Sequence, residues 1–141
     1  MADVLYTAEA LSTGGGRNGH VRTTDGRLDM DMAVPKEMGG SGDGANPELM
    51  FAAGYAACFH SAVQGVARSK KVDVTDSSVG SRVQILSNGQ GGFQLAVHLE
   101  VALPGLEHAL AQEIADSAHQ VCPYSNATRG NIEVTVEVVD D

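Results

Sequence analysis

The residues of this sequence best suited to nucleophilic chemistry are its two cysteines, Cys58 and Cys122. Cys58 lies inside an apolar stretch. Cys122 ends another periodic segment and directly precedes Pro123. On composition alone Cys58 reads as a small core residue, because free cysteine is among the most buried side chains. If the two sulfurs approach each other, they form a couple that cycles between dithiol and disulfide. Their separation in sequence neither supports nor forbids this. A thiol must ionise before it acts as a nucleophile. With a free pKa of about 8.5, only about 3% is thiolate at neutral pH, and burial lowers that fraction further. A nucleophilic Cys58 therefore needs a cation held beside it.

Arg17 is the candidate cation among nine Lys and Arg residues. Glycines on one side and Asn18-Gly19 on the other let its backbone approach another element closely. On the residues alone, a solvated loop arginine is the favoured reading. Glu48 reads as an acid at a helix N-terminus, favoured by the macrodipole. It can also grip the Arg17 guanidinium at two points, leaving the free edge to face a thiol. Roughly ten residues of helix, about 15 Å of rise, separate Glu48 from Cys58, so one straight helix cannot bring them into a small site. Either Arg17 spans much of the gap, or Glu48 arrives from a partner helix crossing near Gly54 by two-fold symmetry. The second arrangement is expected, and it makes a dimer a requirement for catalysis.

Other groupings carry less. His20, His60, His98, His108 and His119 offer metal ligands alongside the cysteines, but no C-x-x-C or H-x-x-x-H spacing occurs, and no metal site is expected. The glycines at 14–16 and 39–44 lack the Lys-Ser/Thr of a phosphate loop and do not fit a dinucleotide fingerprint. Asn126-Ala-Thr128 has the form of a glycosylation acceptor, unused without a secretory route. Ser125 with a distant histidine is no hydrolase signal.

The elements that position these residues follow from pattern. Asp3 to Ala10 reads as a first strand. Val21–Thr24, the Asp25-Gly26 turn and Leu28–Val34 read as a hairpin, with period-two alternation in the second arm. Asn46-Pro47-Glu48 is a helix start, combining a capping residue, a proline in the first turn and an acid. The helix it opens, Leu49 to about Ser69, is apolar on nearly every face through Phe59. That pattern predicts burial on all sides, completed by a second subunit. Two strands follow, the clearer being Phe93–Leu103. Pro104–Val121 reads as a second helix with Leu106, Leu110 and Ile114 at helical spacing. Pro123 ends it or bends the chain, and Ile132–Val138 is a last alternating strand. The order predicts one α+β domain over residues 1–141, antiparallel sheet packed on two main helices.

Composition narrows the function classes. The chain has 141 residues, enough for a respectable core. A formal charge of −9 argues against general nucleic-acid binding and against anionic membrane surfaces. The N-terminus has neither a basic start nor an apolar run, and Leu49–Phe59 is too short to span a bilayer, so a cytoplasmic location is expected. In that reducing compartment a cysteine pair is more often catalytic or metal-binding than a static staple.

Three stretches together resemble the organic hydroperoxide resistance (Ohr) branch of the OsmC-like family. They are Gly-Gly-Arg17-Asn-Gly-His20, the run from Asn46-Pro-Glu48 through Phe51-Ala-Ala-Gly-Tyr-Ala-Ala-Cys58-Phe59, and Val121-Cys122-Pro-Tyr-Ser125. Their order and spacing extend over almost the whole chain. The resemblance implies an intertwined homodimer with two active sites at the interface. It makes Cys58 the peroxidatic cysteine, Cys122 the resolving cysteine, and Arg17 with Glu48 the activating pair. It also implies reduction by dihydrolipoyl groups on a lipoylated carrier protein, in preference to thioredoxin or glutathione, with no bound cofactor. Ala45 and Leu49 depart from the expected threonine and glutamine, and neither removes a catalytic group. Met38, Phe51, Phe59 and Tyr124 are candidates to line an apolar pocket for alkyl or fatty-acid hydroperoxides, each also readable as core packing. A non-catalytic redox-sensing or ligand-binding dimer of the same fold is the alternative.

Overall fold

The computed structural model describes residues 2–139. The chain divides into two compact units, with the boundary between Met50 and Phe51. In the first unit, β1 (Ala10–Thr13), β2 (His20–Thr23) and β3 (Asp29–Asp31) form an antiparallel sheet in that order. The Asp25-Gly26 turn closes the expected hairpin: the Thr23 N–H donates to the Leu28 carbonyl at 2.8 Å, and Gly26 takes φ +75°. The first strand lies later than expected, because β2 offers partners only opposite Ala10–Thr13. Residues 2–9 have no regular structure. The second hairpin arm is shorter than its alternation predicts. After Asp31 the backbone turns to Ala45 instead, with Ala33 N–H donating to the Ala45 carbonyl at 2.9 Å and Ala45 N–H to the Asp31 carbonyl at 3.0 Å.

Helix α1 runs from Pro47 to Ser69. Its start follows the sequence signal: the Asn46 side-chain carbonyl accepts the Leu49 N–H at 2.8 Å, satisfying one orphan donor of the first turn. The Ala45 and Leu49 departures leave that cap intact. Tyr55, Phe59, Val63 and Ala67, spaced four apart, form the fully buried stripe. Burial on all sides is not seen in the single chain, and Leu49 is 58% exposed. At 23 residues α1 is long and apolar enough to cross a membrane by length and composition alone. The Leu49–Phe59 run had suggested a shorter apolar span. The inward stripe of α1 packs on protein.

In the second unit the buried stripe of α1 meets Val97, Leu99 and Val101 of the sheet and Ala111, Ile114, Ala115 and Ala118 of a second helix. The sheet order is β4 (Ser78–Ser87), β5 (Phe93–Ala102), β6 (Val134–Val139). β4 and β5 pair antiparallel through a hairpin, as expected. β6, however, lies parallel to β5, with Val97 opposite Val134. A parallel neighbour needs a long crossover, and helices α2 (His108–Val121) and α3 (Pro123–Thr128) supply it. The fold is α+β, with one strand pairing the alternation pattern could not orient. α2 starts later than Pro104 because Gly105, at φ +86°, turns the chain first.

Candidate active site

Arg17 sits in a single 3-10 turn, Gly16–Asn18, between β1 and β2. Gly19 closes that loop so tightly that a Cβ there would fall 2.1 Å from the Thr13 carbonyl oxygen and 2.7 Å from the Gly15 nitrogen. Asn18 Oδ1 accepts the Val34 N–H at 3.1 Å and anchors the turn. From it the Arg17 guanidinium reaches Glu48 in the first turn of α1. Nη1 donates to Oε1 at 2.8 Å and Nη2 to Oε2 at 2.9 Å. This is the fork-to-fork geometry that arginine forms and lysine cannot. Arg17 hydrogen bonding holds the Glu48 carboxyl below its ordinary value, against a smaller opposing effect of burial. The pair forms within one chain.

Cys122 stands at the corner between α2 and α3, with extended backbone at φ −60°, ψ 124°. Pro123 forbids helical geometry before it and then opens α3 at its first position. The Cys122 N–H donates to the Ala118 carbonyl at 2.9 Å, and its own carbonyl accepts the Asn126 N–H at 2.9 Å. Its side chain is completely buried, whereas Cys58, midway along α1, is partly accessible. Both are free thiols, and the Cys122 thiol points at Cys58 Sγ across 3.3 Å. A disulfide bond is about 2.0 Å long, so a small rotation of either side chain joins them. Burial pushes the Cys58 thiol above its ordinary value, the adjacent Cys122 adds to this, and a hydrogen bond from the Tyr124 backbone N–H opposes it. A cation would reverse the balance, and the Cys58 surroundings in this unit hold none among the described residues.

A cavity of about 640 Å³ opens beside Cys58, walled by Ala62, Gly65, Val66, Val121 and Pro123 among others. None of the aromatic pocket candidates lines it. Phe59 is fully buried in the core, a consequence of its place on the inward stripe of α1. Phe51, Tyr124 and Tyr55 instead cluster together with tilted and edge-on rings, centroids 5.9 Å apart for Phe51–Tyr55, 5.7 Å for Phe51–Tyr124 and 5.5 Å for Tyr55–Tyr124. Tyr124 lies over Gly54, where a Cβ would fall 2.7 Å from its hydroxyl. Met38 is an exposed residue of the first unit, in the Lys36–Met38 turn.

Sequence reasoning passed over a buried polar group next to the cysteines: Tyr55, Ser125 and Thr128, joined to His119. Burial and Arg129 hold the His119 imidazole below its ordinary value, with Asp116 opposing. No spacing rule links a tyrosine to a serine and a threonine some seventy positions away. Proximity of Ser125 to Cys122 was the only hint. The sheet also brings together His98, Glu100 and Glu137, whose ligand atoms lie within 4.8 Å of one another. His98 spends its ring nitrogens on Thr135 and Glu137. None of these belongs to the Cys/His combination considered from sequence except His98.

Comparison with known proteins places this arrangement. The profile of the OsmC-like proteins matches residues 40–137, and the chain belongs to that family. Within it, the similarity is to proteins named for organic hydroperoxide resistance. The one from Xanthomonas axonopodis pv. citri is 50% identical over 139 residues, 94% of each chain. OhrB of Bacillus subtilis is 42% identical over 95% of this chain and 98% of its own. The crystal structure of an organic hydroperoxide resistance protein from Elizabethkingia anophelis, with thiocyanate bound, superposes with a TM-score of 0.94. It is 48% identical and is covered in full by 99% of this chain.

Proposed function

We propose that the protein is a cysteine-based peroxidase that reduces organic hydroperoxides to alcohols. The observation that carries this reading is the approach of two free thiols to 3.3 Å, one buried and one accessible. The Cys58 thiolate attacks the distal peroxide oxygen, the O–O bond breaks, and the alcohol leaves with a proton. Cys58 is left as a sulfenic acid. Cys122 attacks that sulfur, its proton leaves with the sulfenic oxygen as water, and the Cys58–Cys122 disulfide closes. A dihydrolipoyl dithiol on a carrier protein reopens it by exchange and is itself oxidised.

Arg17 serves as the activating cation and Glu48 fixes its orientation. The two-point pairing supports this role, since it leaves one edge of the guanidinium free. So does the state of Cys58, whose own unit disfavours the thiolate. We place the working enzyme in the cytoplasm as a homodimer, with α1 of each chain covered by its partner. The apolar cavity beside Cys58 suits alkyl and fatty-acid hydroperoxides better than hydrogen peroxide.

Turnover of tert-butyl or lipid hydroperoxide, measured beside hydrogen peroxide with lipoyl and thioredoxin reductants in parallel, tests the whole reading. Fast turnover is expected only for organic peroxide with the lipoyl dithiol. Equal rates for all combinations contradict it. The upward push on the Cys58 thiol favours one second reading, a redox-sensing dimer that forms the disulfide but turns over slowly. Steady-state assay with dihydrolipoamide separates the two.

A further inference from the structure

The corner that carries Cys122 is tied to the helix that carries Cys58 by a chain of hydroxyls. Tyr55 Oη lies 2.8 Å from Ser125 Oγ and 3.1 Å from Thr128 Oγ1. Ser125 Oγ lies 2.8 Å from His119 Nδ1, and the Thr128 hydroxyl donates to the Ser125 carbonyl at 3.3 Å. One direction of donation uses every contact. His119 Nδ1–H donates to Ser125, Ser125 to Tyr55, Tyr55 to Thr128, and Thr128 to the Ser125 carbonyl. Tyr55 and Ser125 are completely buried and Thr128 is 6% exposed, so no water replaces a broken link cheaply.

The placement of the chain matters more than its strength. Tyr55 stands one helical turn before Cys58 on α1. His119 precedes Cys122 by three residues and Ser125 follows it by three. Both sides of the Cys122 corner are therefore bound to one another and to the turn of α1 next to the other sulfur. Arg129 adds a clamp across the same corner, donating to the His119 carbonyl at 2.8 Å and to Asn126 Oδ1.

We propose that Tyr55, Ser125 and Thr128 are positioning residues that hold Cys122 Sγ within closing distance of Cys58 Sγ and so set the rate of disulfide formation. Misplacement by about 1 Å costs on the order of a hundredfold in a reaction between held groups. The gap to be closed is of that size: 3.3 Å against a bond of about 2.0 Å. A sulfenic acid that waits for its partner is exposed to further oxidation, so the same chain protects Cys58 from irreversible loss. This rests on the peroxidase reading only for the step that first oxidises Cys58.

The test uses the full chain and two oxidants. Diamide, an azodicarboxamide, accepts one thiolate at its N=N bond. The second thiol then displaces the hydrazine, so closure is read without any peroxide. In Tyr55→Phe and Ser125→Ala, closure by diamide is expected to slow about tenfold or more. Thr128→Ser, which keeps its hydroxyl, should close at the wild-type rate. With tert-butyl hydroperoxide, the same two variants should form sulfenic acid at the wild-type rate, trapped by dimedone, and then over-oxidise at lower peroxide. Wild-type closure by diamide in either Tyr55→Phe or Ser125→Ala overturns the proposal. Failure of the wild type to consume hydroperoxide while diamide closes its disulfide overturns the peroxidase reading alone, and the diamide arm still decides this one.

Discussion

At the scale of single residues, the reactivity of Cys58 turns on charge beside sulfur. If Arg17 supplies it, Arg17→Ala raises the Cys58 thiol further, and alkylation by iodoacetamide at pH 7 slows by about tenfold for each pKa unit. Arg17→Lys should recover little, since a point charge cannot make the two-point contact with Glu48. Rates that match wild type in Arg17→Ala would remove the activating role. Glu48 gives a separate signature in stability. Its carboxyl is held low in the folded chain, so the stabilisation is complete above the ordinary carboxylate range and is lost as pH falls through the lowered value. Urea midpoints should stay level from pH 7 to about 5 and decline below, and Glu48→Gln should flatten that part of the decline.

At the scale of elements, two glycines separate a rigid constraint from a soft one. A Cβ at Gly19 meets backbone, the Thr13 carbonyl oxygen and the Gly15 nitrogen, and neither can yield without opening the loop that carries Arg17. Gly19→Ala should cost about 2–3 kcal/mol or more by denaturant titration. A Cβ at Gly54 meets the far end of the Tyr124 side chain, which can swing aside. Gly54→Ala should therefore cost only about 1 kcal/mol while displacing the Tyr124 ring from its contacts with Phe51 and Tyr55. A larger loss at Gly54 than at Gly19 would contradict this ordering.

The same scale shows what a sequence discloses. The start of α1 was readable from Asn46, Pro47 and Glu48, because capping is local chemistry. The alternation of β5 and β6 identified both strands but not their relative direction, because side-chain period carries no sense of direction and the crossover is a tertiary choice. The Arg17–Glu48 grip was foreseen as chemistry, whereas the cysteine pairing came from the family resemblance, since separation in sequence leaves it open. Of the two readings of Phe59, pocket wall and core packing, the structure shows core packing, and aromatic type alone could not decide because it says nothing of which side of a helix faces the core. The Tyr55–Ser125–Thr128 chain was invisible because burial, not spacing, makes it matter.

For the whole molecule, the open faces of α1 carry the expectation of a partner. Its inward stripe is sealed, but Leu49, Ala53 and Ala57 are exposed and most of its other apolar residues are only half-buried in the single chain. Each Å² of apolar surface buried there contributes on the order of 25 cal/mol toward association. Size-exclusion with light scattering should give twice the 14.6 kDa chain mass. If the active site needs both copies, specific turnover should fall on dilution below the dissociation constant. Constant specific activity in a demonstrated monomer would refute that dependence.

The parallel placement of β6 has a consequence during biosynthesis. β5 cannot acquire its last neighbour until the crossover containing Cys122 has been made and folded back. A ribosome adding about 5–20 residues per second needs roughly 3–13 seconds to go from Cys58 to Cys122. Through that interval the Cys58 thiol exists without the Cys122 thiol that later stands 3.3 Å from it, so an oxidant that meets the nascent chain finds a cysteine unable to close a disulfide within its own chain.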